Sequence, residues 1–597
     1  MGRRELPRRT TIVAVVHVVV IASMALAVGA DEGVIRPLPG IDDAQPAPAA
    51  PASQFAELSQ RLDAAQATLA ELKSSRQAAA SRSPNVLSGD GGPTSGASSS
   101  PGQQAGIDPS GARQAEESEA ADDRGPVARL ASLLQDQPLE RGVLDRINDL
   151  AQSLEGLKKQ YPLVRLSGFL QTDYDAYQQD AASHAILGDV QNGAGIRRAR
   201  LQALGKVTEF TNFSVEFDFA NAGRPSFFDV WGEQMNLPTG ALRVGQFRQP
   251  VTMDSWTSVR HLEFMERSAP FTALDPFRRV GAMNWWVSED QRMLAAASVY
   301  ATGGTFFNTT SDTTQYSTYG DDRFGTEIGD NGGIACATRA TRLVYYDDLT
   351  DRQWLHVGGG YNFAQIGGNG PGAAGWTGSQ TWRATTTPEL FVGDSGGSGS
   401  AYAGTPNVLD TGRILAHNYQ LIHGELAGNY GSAHFQTEWL GEFVDQYVGP
   451  PLFYQGAYAQ GGYFLTGETA GYNKLTGVMD YNVRPFNEFL GLGPWRGLVG
   501  WGAWEVATRW SYLNLQNSHV NPVNYQNVTS LTAPNGGAGP STAYPNPGIL
   551  NNATLALNWW WNQWTRVEFN YVVTMLDSQY HGYSRMEAWA TRFQVEF

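Results

Sequence analysis

The sequence is poor in cysteine, lysine and charge. Cys336 is its only cysteine, which excludes an intramolecular disulfide and any cysteine-based zinc or iron–sulfur centre. Lysine is limited to Lys73, Lys158, Lys159, Lys206 and Lys474, so nearly all positive charge is arginine. Charged residues make up 17% of the chain, below the usual quarter of a soluble domain. Acids outnumber bases 58 to 42, for a formal net charge of -16, which argues against a nucleic-acid surface. Beyond Ala30 no run reaches the eighteen or so consecutive apolar residues of a membrane helix. A body that crosses a membrane must therefore do so as strands.

Enzymatic signatures are also scarce. Gly393-Asp394-Ser395-Gly396-Gly397 spells a serine-hydrolase pattern, but a nucleophile elbow needs a strained strand-to-helix turn and a positioned histidine. The segment sits in a Gly/Ser run and reads as a flexible external loop. His184, His356, His417, His423 and His434 show no zinc-type spacing. They read as polar groups of a lumen or of loops. No phosphate-cradling Gly-Lys motif and no paired-carboxylate site is present, so the chain is expected to be a non-enzyme without a cofactor.

Glycine and aromatics, in contrast, are plentiful: 67 Gly, 17 Trp, 24 Tyr and 26 Phe. Arg3, Arg4, Arg8 and Arg9 precede an apolar run from Ile12 to Val28, and Val28-Gly29-Ala30 supplies small residues at a cleavage site. Residues 1–30 thus read as a signal peptide. Residues 31–125 read as a disordered linker carrying a short helix over 54–80, where Leu58, Leu62, Ala65, Leu69 and Leu72 fall at heptad spacing. Residues 126–161 read as a helical coiled-coil segment, with Val143, Ile147, Leu150, Leu154 and Leu157 on one seam before Pro162.

From residue 163 the period becomes two. Trp589, Thr591, Phe593, Val595 and Phe597 oppose Ala588, Ala590, Arg592, Gln594 and Glu596, and Val567, Phe569, Tyr571 and Val573 oppose Arg566, Glu568 and Asn570. Phe213, Val215, Phe217 and Phe219 likewise oppose Ser214, Glu216 and Asp218, and Trp504, Val506, Trp510 and Tyr512 oppose Glu505, Arg509 and Ser511. A soluble sandwich would fill its apolar face with aliphatic residues. Here aromatics dominate it, and Trp and Tyr recur near segment ends, as in Tyr345-Tyr346, Trp559-Trp560-Trp561 and Tyr571, which suits the aromatic girdles of a membrane–water boundary. Residues 163–597, at roughly 27 per strand with alternating short turns and long loops, give about sixteen strands. The expected fold class is all-β, a transmembrane antiparallel β-barrel of the outer membrane, with a wet polar inner face and the N-terminal segment in the periplasm.

Specific stretches carry a resemblance. Gly195-Ile196-Arg197-Arg198-Ala199-Arg200-Leu201, Leu242-Arg243-Val244-Gly245-Gln246-Phe247-Arg248-Gln249-Pro250 and Phe264-Met265-Glu266-Arg267 are similar, in order and spacing, to the phosphate-selective porin O and P family. Tyr463-Phe464-Leu465-Thr466-Gly467-Glu468, the segment from Gly502 to Leu513, and Leu557-Asn558-Trp559-Trp560 extend the likeness. The resemblance implies a homotrimeric, sixteen-stranded porin in outer-membrane lipid, whose third external loop folds inward and whose arginine pair and lysines bind phosphate. Arg197 and Arg198 match the pair, and strand alternation puts Arg198 and Arg200 on the lumenal face with Gln202. The inward loop falls around Val251 to Ser268, with Trp256, Thr257 and Arg260 where the family has lysines.

The candidate constriction and anion-binding residues are therefore Arg197, Arg198, Arg200, Arg243 and Arg260, with small anions such as phosphate as the implied solute. Glu216, Asp218, Glu233, Glu505 and Glu568 are the acids that would instead make a transverse field without net selectivity. The alternative from a different class is a structural anchor, in which the N-terminal segment contacts the cell wall and the barrel is a general pore. The seam of residues 126–160 predicts that a peptide of this stretch associates, as a trimer matching the barrel. Sedimentation equilibrium checks this, and a peptide that stays monomeric at high concentration contradicts it.

Overall fold

Alternating residues in runs this long, rich in aromatic and β-branched side chains, are built for a pleated wall with two unlike faces. A computed structural model describes residues 161–220, 226–302, 327–328, 333–367, 380–391, 405–491, 500–516, 518–526 and 545–597. The expected signal peptide, linker and helical segments of residues 1–160, and the Gly393–Gly397 motif, lie outside them. Among the described residues sixteen strands form the wall. They are β1 (Leu163–Gln179), β2 (Gly193–Lys206), β3 (Thr211–Asp218), β4 (Ser226–Leu237), β5 (Gly240–Arg248), β6 (Arg278–Val287), β7 (Met293–Ala301) and β8 (Ile334–Tyr346) in the first half. The second half comprises β9 (Gln353–Gln365), β10 (Arg413–Tyr430), β11 (Ala433–Gln446), β12 (Leu452–Phe464), β13 (Ala503–Asn514), β14 (Gly548–Asn562), β15 (Thr565–Ser578) and β16 (Gly582–Glu596).

Each strand pairs with its sequence neighbours, and β16 returns antiparallel to β1 with Leu170 opposite Val595 and Tyr177 opposite Ala588. The sheet is a closed barrel, with no free edge in its wall. Burial along the strands is inside out. Trp589 is 58% exposed and Leu555 54%, whereas Arg592 and Glu568 on the opposite face are at 0%. The apolar side therefore faces outward and the charged side inward, the reverse of a soluble core.

The inner face is not the open wet wall that alternation alone predicts. The connection 249–277, between β5 and β6, folds into the lumen and covers it. Its ordered turns are α1 (Met253–Trp256), a 3-10 turn at Val259–His261 and α2 (Ala269–Leu274). Val251, Met265, Ala269, Ala273 and Leu274 of this loop join one apolar cluster with Trp382, Tyr419, Leu440, Tyr454 and Leu513. Each large side chain so buried contributes about 1.5–3 kcal/mol, which holds the loop down where polar pairing alone would not.

One rim carries short connections, 207–210, 238–239, 288–292, 347–352, 431–432 and 563–564, with one exception. Residues 465–502 are long, and their described part turns inward. Trp354 Nε1 donates to the Ala470 carbonyl at 3.1 Å, and Arg339 donates to the Thr476 and Gly477 carbonyls at 2.9 and 2.6 Å. Val478, Met479, Tyr481 and Val483 are buried. On this rim the insertion breaks the rule of short turns because it has an apolar face of its own to bury, and on the opposite rim the connections 447–451 and 579–581 are short where long loops are expected.

Leu555 lies mid-strand on the outer face, so Leu555→Arg places a guanidinium in hydrocarbon. The variant is expected to lose about 2–4 kcal/mol of folding free energy into lipid vesicles, measured by reversible denaturant titration.

Candidate functional site

The inward loop is positioned by its own ends and by the wall opposite. Thr252 caps α1, its hydroxyl accepting from the Ser255 amide at 3.0 Å and donating to Asp275 Oδ2 at 2.8 Å. Asp275 also accepts from the Phe277 amide at 2.7 Å, which ties the two ends of the loop together. Burial pushes the Asp275 carboxyl up to about 6 against these hydrogen bonds. From β11, Glu438 accepts from the Met253 and Asp254 amides, both at 2.8 Å. These are the orphan donors of the first turn of α1, and a carboxylate is their natural acceptor.

Glu266 is the hub of the buried charge. It receives Arg197 Nε at 2.9 Å, Arg198 Nη2 at 2.8 Å and Arg592 Nη2 at 2.7 Å. Arg592 also makes a fork onto Asp173, at 2.8 and 2.6 Å, and donates to the Met265 carbonyl. Arg197 and Arg198 are adjacent on β2, where strict alternation would send them to opposite faces. Both nevertheless turn to the same carboxylate, a convergence that alternation does not anticipate. A small cavity beside Glu266, lined by Arg198, Arg267, Thr272, Phe277, Thr387 and Glu389, has room for about one water.

The five candidate arginines do not form one ring. Arg197 and Arg198 share Glu266, while Arg200 lies over the Phe228 ring at 3.8 Å and pairs with Asp218 at 2.9 Å and Glu216 at 3.8 Å. Arg243 stands apart, paired with Glu233 at 2.8 Å and stacked on Trp231 at 3.9 Å. Arg260 donates to Ser167 Oγ at 3.0 Å and Gln202 Oε1 at 3.1 Å, with its guanidinium over Phe169 at 4.9 Å. Trp256 and Thr257 bring no charge; the Thr257 carbonyl accepts from Arg248 and Arg267 at 2.9 and 2.6 Å.

The acids Glu216, Asp218, Glu233 and Glu568 sit beside their arginines rather than across a lumen from them. Glu505 has a different partner, His434 at 3.0 Å. Sequence reasoning did not single out Glu266, Glu438, Glu389 or Arg592. The one available signal was for Glu266, which stands inside the Phe264-Met265-Glu266-Arg267 motif. Arg509 extends the belt, pairing with Glu389 at 2.7 Å and donating to the Glu266 carbonyl at 3.0 Å.

A closed sixteen-stranded barrel, apolar outside and polar within, with a loop folded into its bore, defines an outer-membrane porin. The chain belongs to the family of phosphate-selective porins O and P, whose profile matches residues 164–329 and 365–597. Among solved structures it is similar to a loop-L8 deletion mutant of OmpT, an outer-membrane protein of Vibrio cholerae, at 12% identity. That match covers 73% of this chain and 99% of that one, with a TM-score of 0.37. It is also similar to the outer-membrane channel DcaP of Acinetobacter baumannii, at 9% identity, 73% and 97% coverage and a TM-score of 0.39. A third similar structure is Salmonella typhi OmpF in complex with daunomycin, at 9% identity, 73% and 98% coverage and a TM-score of 0.37. No curated protein matches the chain significantly.

Glu266→Gln removes the anion that Arg197, Arg198 and Arg592 share. Breaking a buried pair from one side costs about 3–5 kcal/mol. The variant is expected to fold as a barrel but to convert to its heat-denatured gel form at a lower temperature and to conduct more noisily in planar bilayers. An unchanged transition with wild-type current would show that Glu266 does not hold the loop.

Proposed function

We propose that this porin is a passive diffusion channel for small hydrophilic solutes with a preference for anions such as phosphate, and that Arg260 carries the preference. The supporting observation is the neutrality of its partners. Among the described residues the Arg260 guanidinium donates to Ser167 and Gln202 and lies over the Phe169 ring, and no carboxylate lies within 4.0 Å of it. Arg197, Arg198, Arg200 and Arg243 are each matched by at least one acid. A matched arginine adds a local dipole, whereas a guanidinium held by a hydroxyl and an amide keeps its full charge for a passing anion. Planar paired donors suit phosphate and carboxylate alike.

The acidic total does not oppose this reading. Exposed charges are screened over about 8 Å at physiological salt, while a fixed charge in a low-dielectric bore is not. Family membership supports a homotrimer as the working assembly. In this reading the protein is a conduit and catalyses no reaction.

Reversal potentials in asymmetric potassium chloride test the proposal. Wild type should prefer chloride and show current block by phosphate, and Arg260→Glu should move the reversal potential toward cations and abolish the block. Arg260→Gln should fall between the two. A wild type that already prefers cations, or an Arg260→Glu channel with unchanged selectivity, rejects Arg260 as the determinant.

A further inference from the structure

A second set of buried side chains takes no part in the arginine belt. Glu263 of the inward loop, His434 of β11 and Glu505 of β13 meet at the inner wall, and their side chains are at 0% exposure. His434 Nε2 lies 3.0 Å from Glu263 Oε1 and 3.0 Å from Glu505 Oε1. One ring nitrogen carries at most one proton, so it cannot satisfy both carboxylates with a full hydrogen bond. Among the described residues neither glutamate has an arginine or lysine within 4.0 Å, and Glu263 Oε2 is buried without a well-formed hydrogen bond, the neutral Tyr481 hydroxyl being the donor beside the carboxylate. Two ionised carboxylates facing one imidazole leave net negative charge in a buried site even when the ring is protonated, an arrangement that costs several kcal/mol unless a proton or a cation compensates it.

We propose that Glu263, His434 and Glu505 bind a divalent first-row transition-metal cation, with zinc as the simplest fit. The three ligand atoms lie within 4.8 Å of one another. Ligands at about 2.0–2.2 Å from a tetrahedral zinc are separated by about 3.3 Å, close to the two 3.0 Å contacts. The ligand set, one imidazole and two carboxylates, is within zinc's range, and three protein ligands leave a fourth position for water. A cavity with room for about one water lies beside Glu263, lined also by Gln436, Gln460, Tyr481 and Arg509.

Two further features belong to a built site. Gly462 of β12 stands directly opposite His434 in the sheet, and a Cβ there would come within 2.5 Å of His434 Nε2 and 2.6 Å of Glu263 Oε1. The missing side chain is what leaves the cluster its space. Asn558 then orients two members at once, its Nδ2 donating at 2.8 Å to Glu505 Oε2 and at 2.8 Å to the Glu263 carbonyl, as an outer-shell residue does. The neighbouring cluster of His423, Glu425 and Glu438 makes a useful contrast. There Arg339 lies 2.9 Å from Glu425, and Glu438 is taken by two backbone amides. That cluster is already compensated. A cation bound by Glu263 would fasten the inward loop to β11 and β13, on the wall beside β12.

The test uses the full-length, untagged protein in detergent, stripped with a chelator and titrated with Co²⁺ as a spectroscopic stand-in for zinc. Wild type should take up one Co²⁺ per chain with visible d–d absorption, displaced by Zn²⁺. Glu263→Gln and Glu505→Gln should weaken binding by roughly 100-fold or more, and Asn558→Ala, which keeps all three ligands, by about 10–100-fold. Heat-modifiability on gels reports whether each variant has folded. Absence of stoichiometric Co²⁺ in the wild type overturns the proposal whatever the variants do. So does uptake by folded Glu263→Gln or Asn558→Ala protein at wild-type affinity. Arg260 is no part of this site, so its outcome is independent of the channel's selectivity.

Discussion

The closure of β16 onto β1 is the constraint from which the rest of this structure follows. In hydrocarbon every unpaired backbone N–H or C=O costs several kcal/mol, and only a closed ladder pairs them all. The seam shows how local sequence serves it. Gly168 and Phe597 exchange both backbone hydrogen bonds, at 2.8 and 3.0 Å, and a Cβ at Gly168 would lie 2.5 Å from the Phe597 ring. Once the ring of strands is shut, each residue must face either lipid or lumen. The apolar set goes out and the charged set goes in.

Sending the charges inward creates a second problem, which the inward loop solves. Arginines such as Arg592 and acids such as Glu568 are fully buried, and a buried charge is tolerable only when paired and hydrogen-bonded. The chain meets this with arginine rather than lysine. A planar fork lets Arg592 serve Asp173, Glu266 and the Met265 carbonyl together, which an ammonium cannot match in geometry. The loop also brings carbonyls to the wall, where Arg566 reaches Leu262 and Arg509 reaches Glu266. Polar pairing sets the loop's register, and the apolar cluster around Met265, Ala273 and Leu274 supplies much of its adhesion.

The acids and bases of the lumen differ in how completely they are matched, and that difference gives the interior its chemistry. Most arginines have a carboxylate beside them and contribute a short-range dipole. Arg260 has neutral partners. Glu263 and Glu505 share a histidine in place of an arginine. Function at a lined bore depends on such local imbalances far more than on the total charge of the chain.

Much of the fold was legible in the sequence, because a strand with unlike faces writes its orientation as a period of two. The outward set of Trp589, Phe593, Val567 and Phe569 and the inward set of Arg592, Glu568 and Glu505 could be assigned before any coordinates, as could the approximate number of strands, while the inward loop was implied only by the family resemblance. The site was only partly legible. Alternation places Arg198 and Arg200 on the inner face, but it says nothing of Glu266 drawing Arg197 there as well. Nor does it show that the described part of the long connection after β12 turns into the barrel from the short-turn rim. His434 and Glu263 lie 171 residues apart, and no spacing rule links them. The sequence by itself determined which face of each strand is polar, since that is a property of neighbouring residues. Which charge meets which was decided only by the tertiary structure, because the barrel's closure and the fold of one loop bring remote side chains within hydrogen-bond reach.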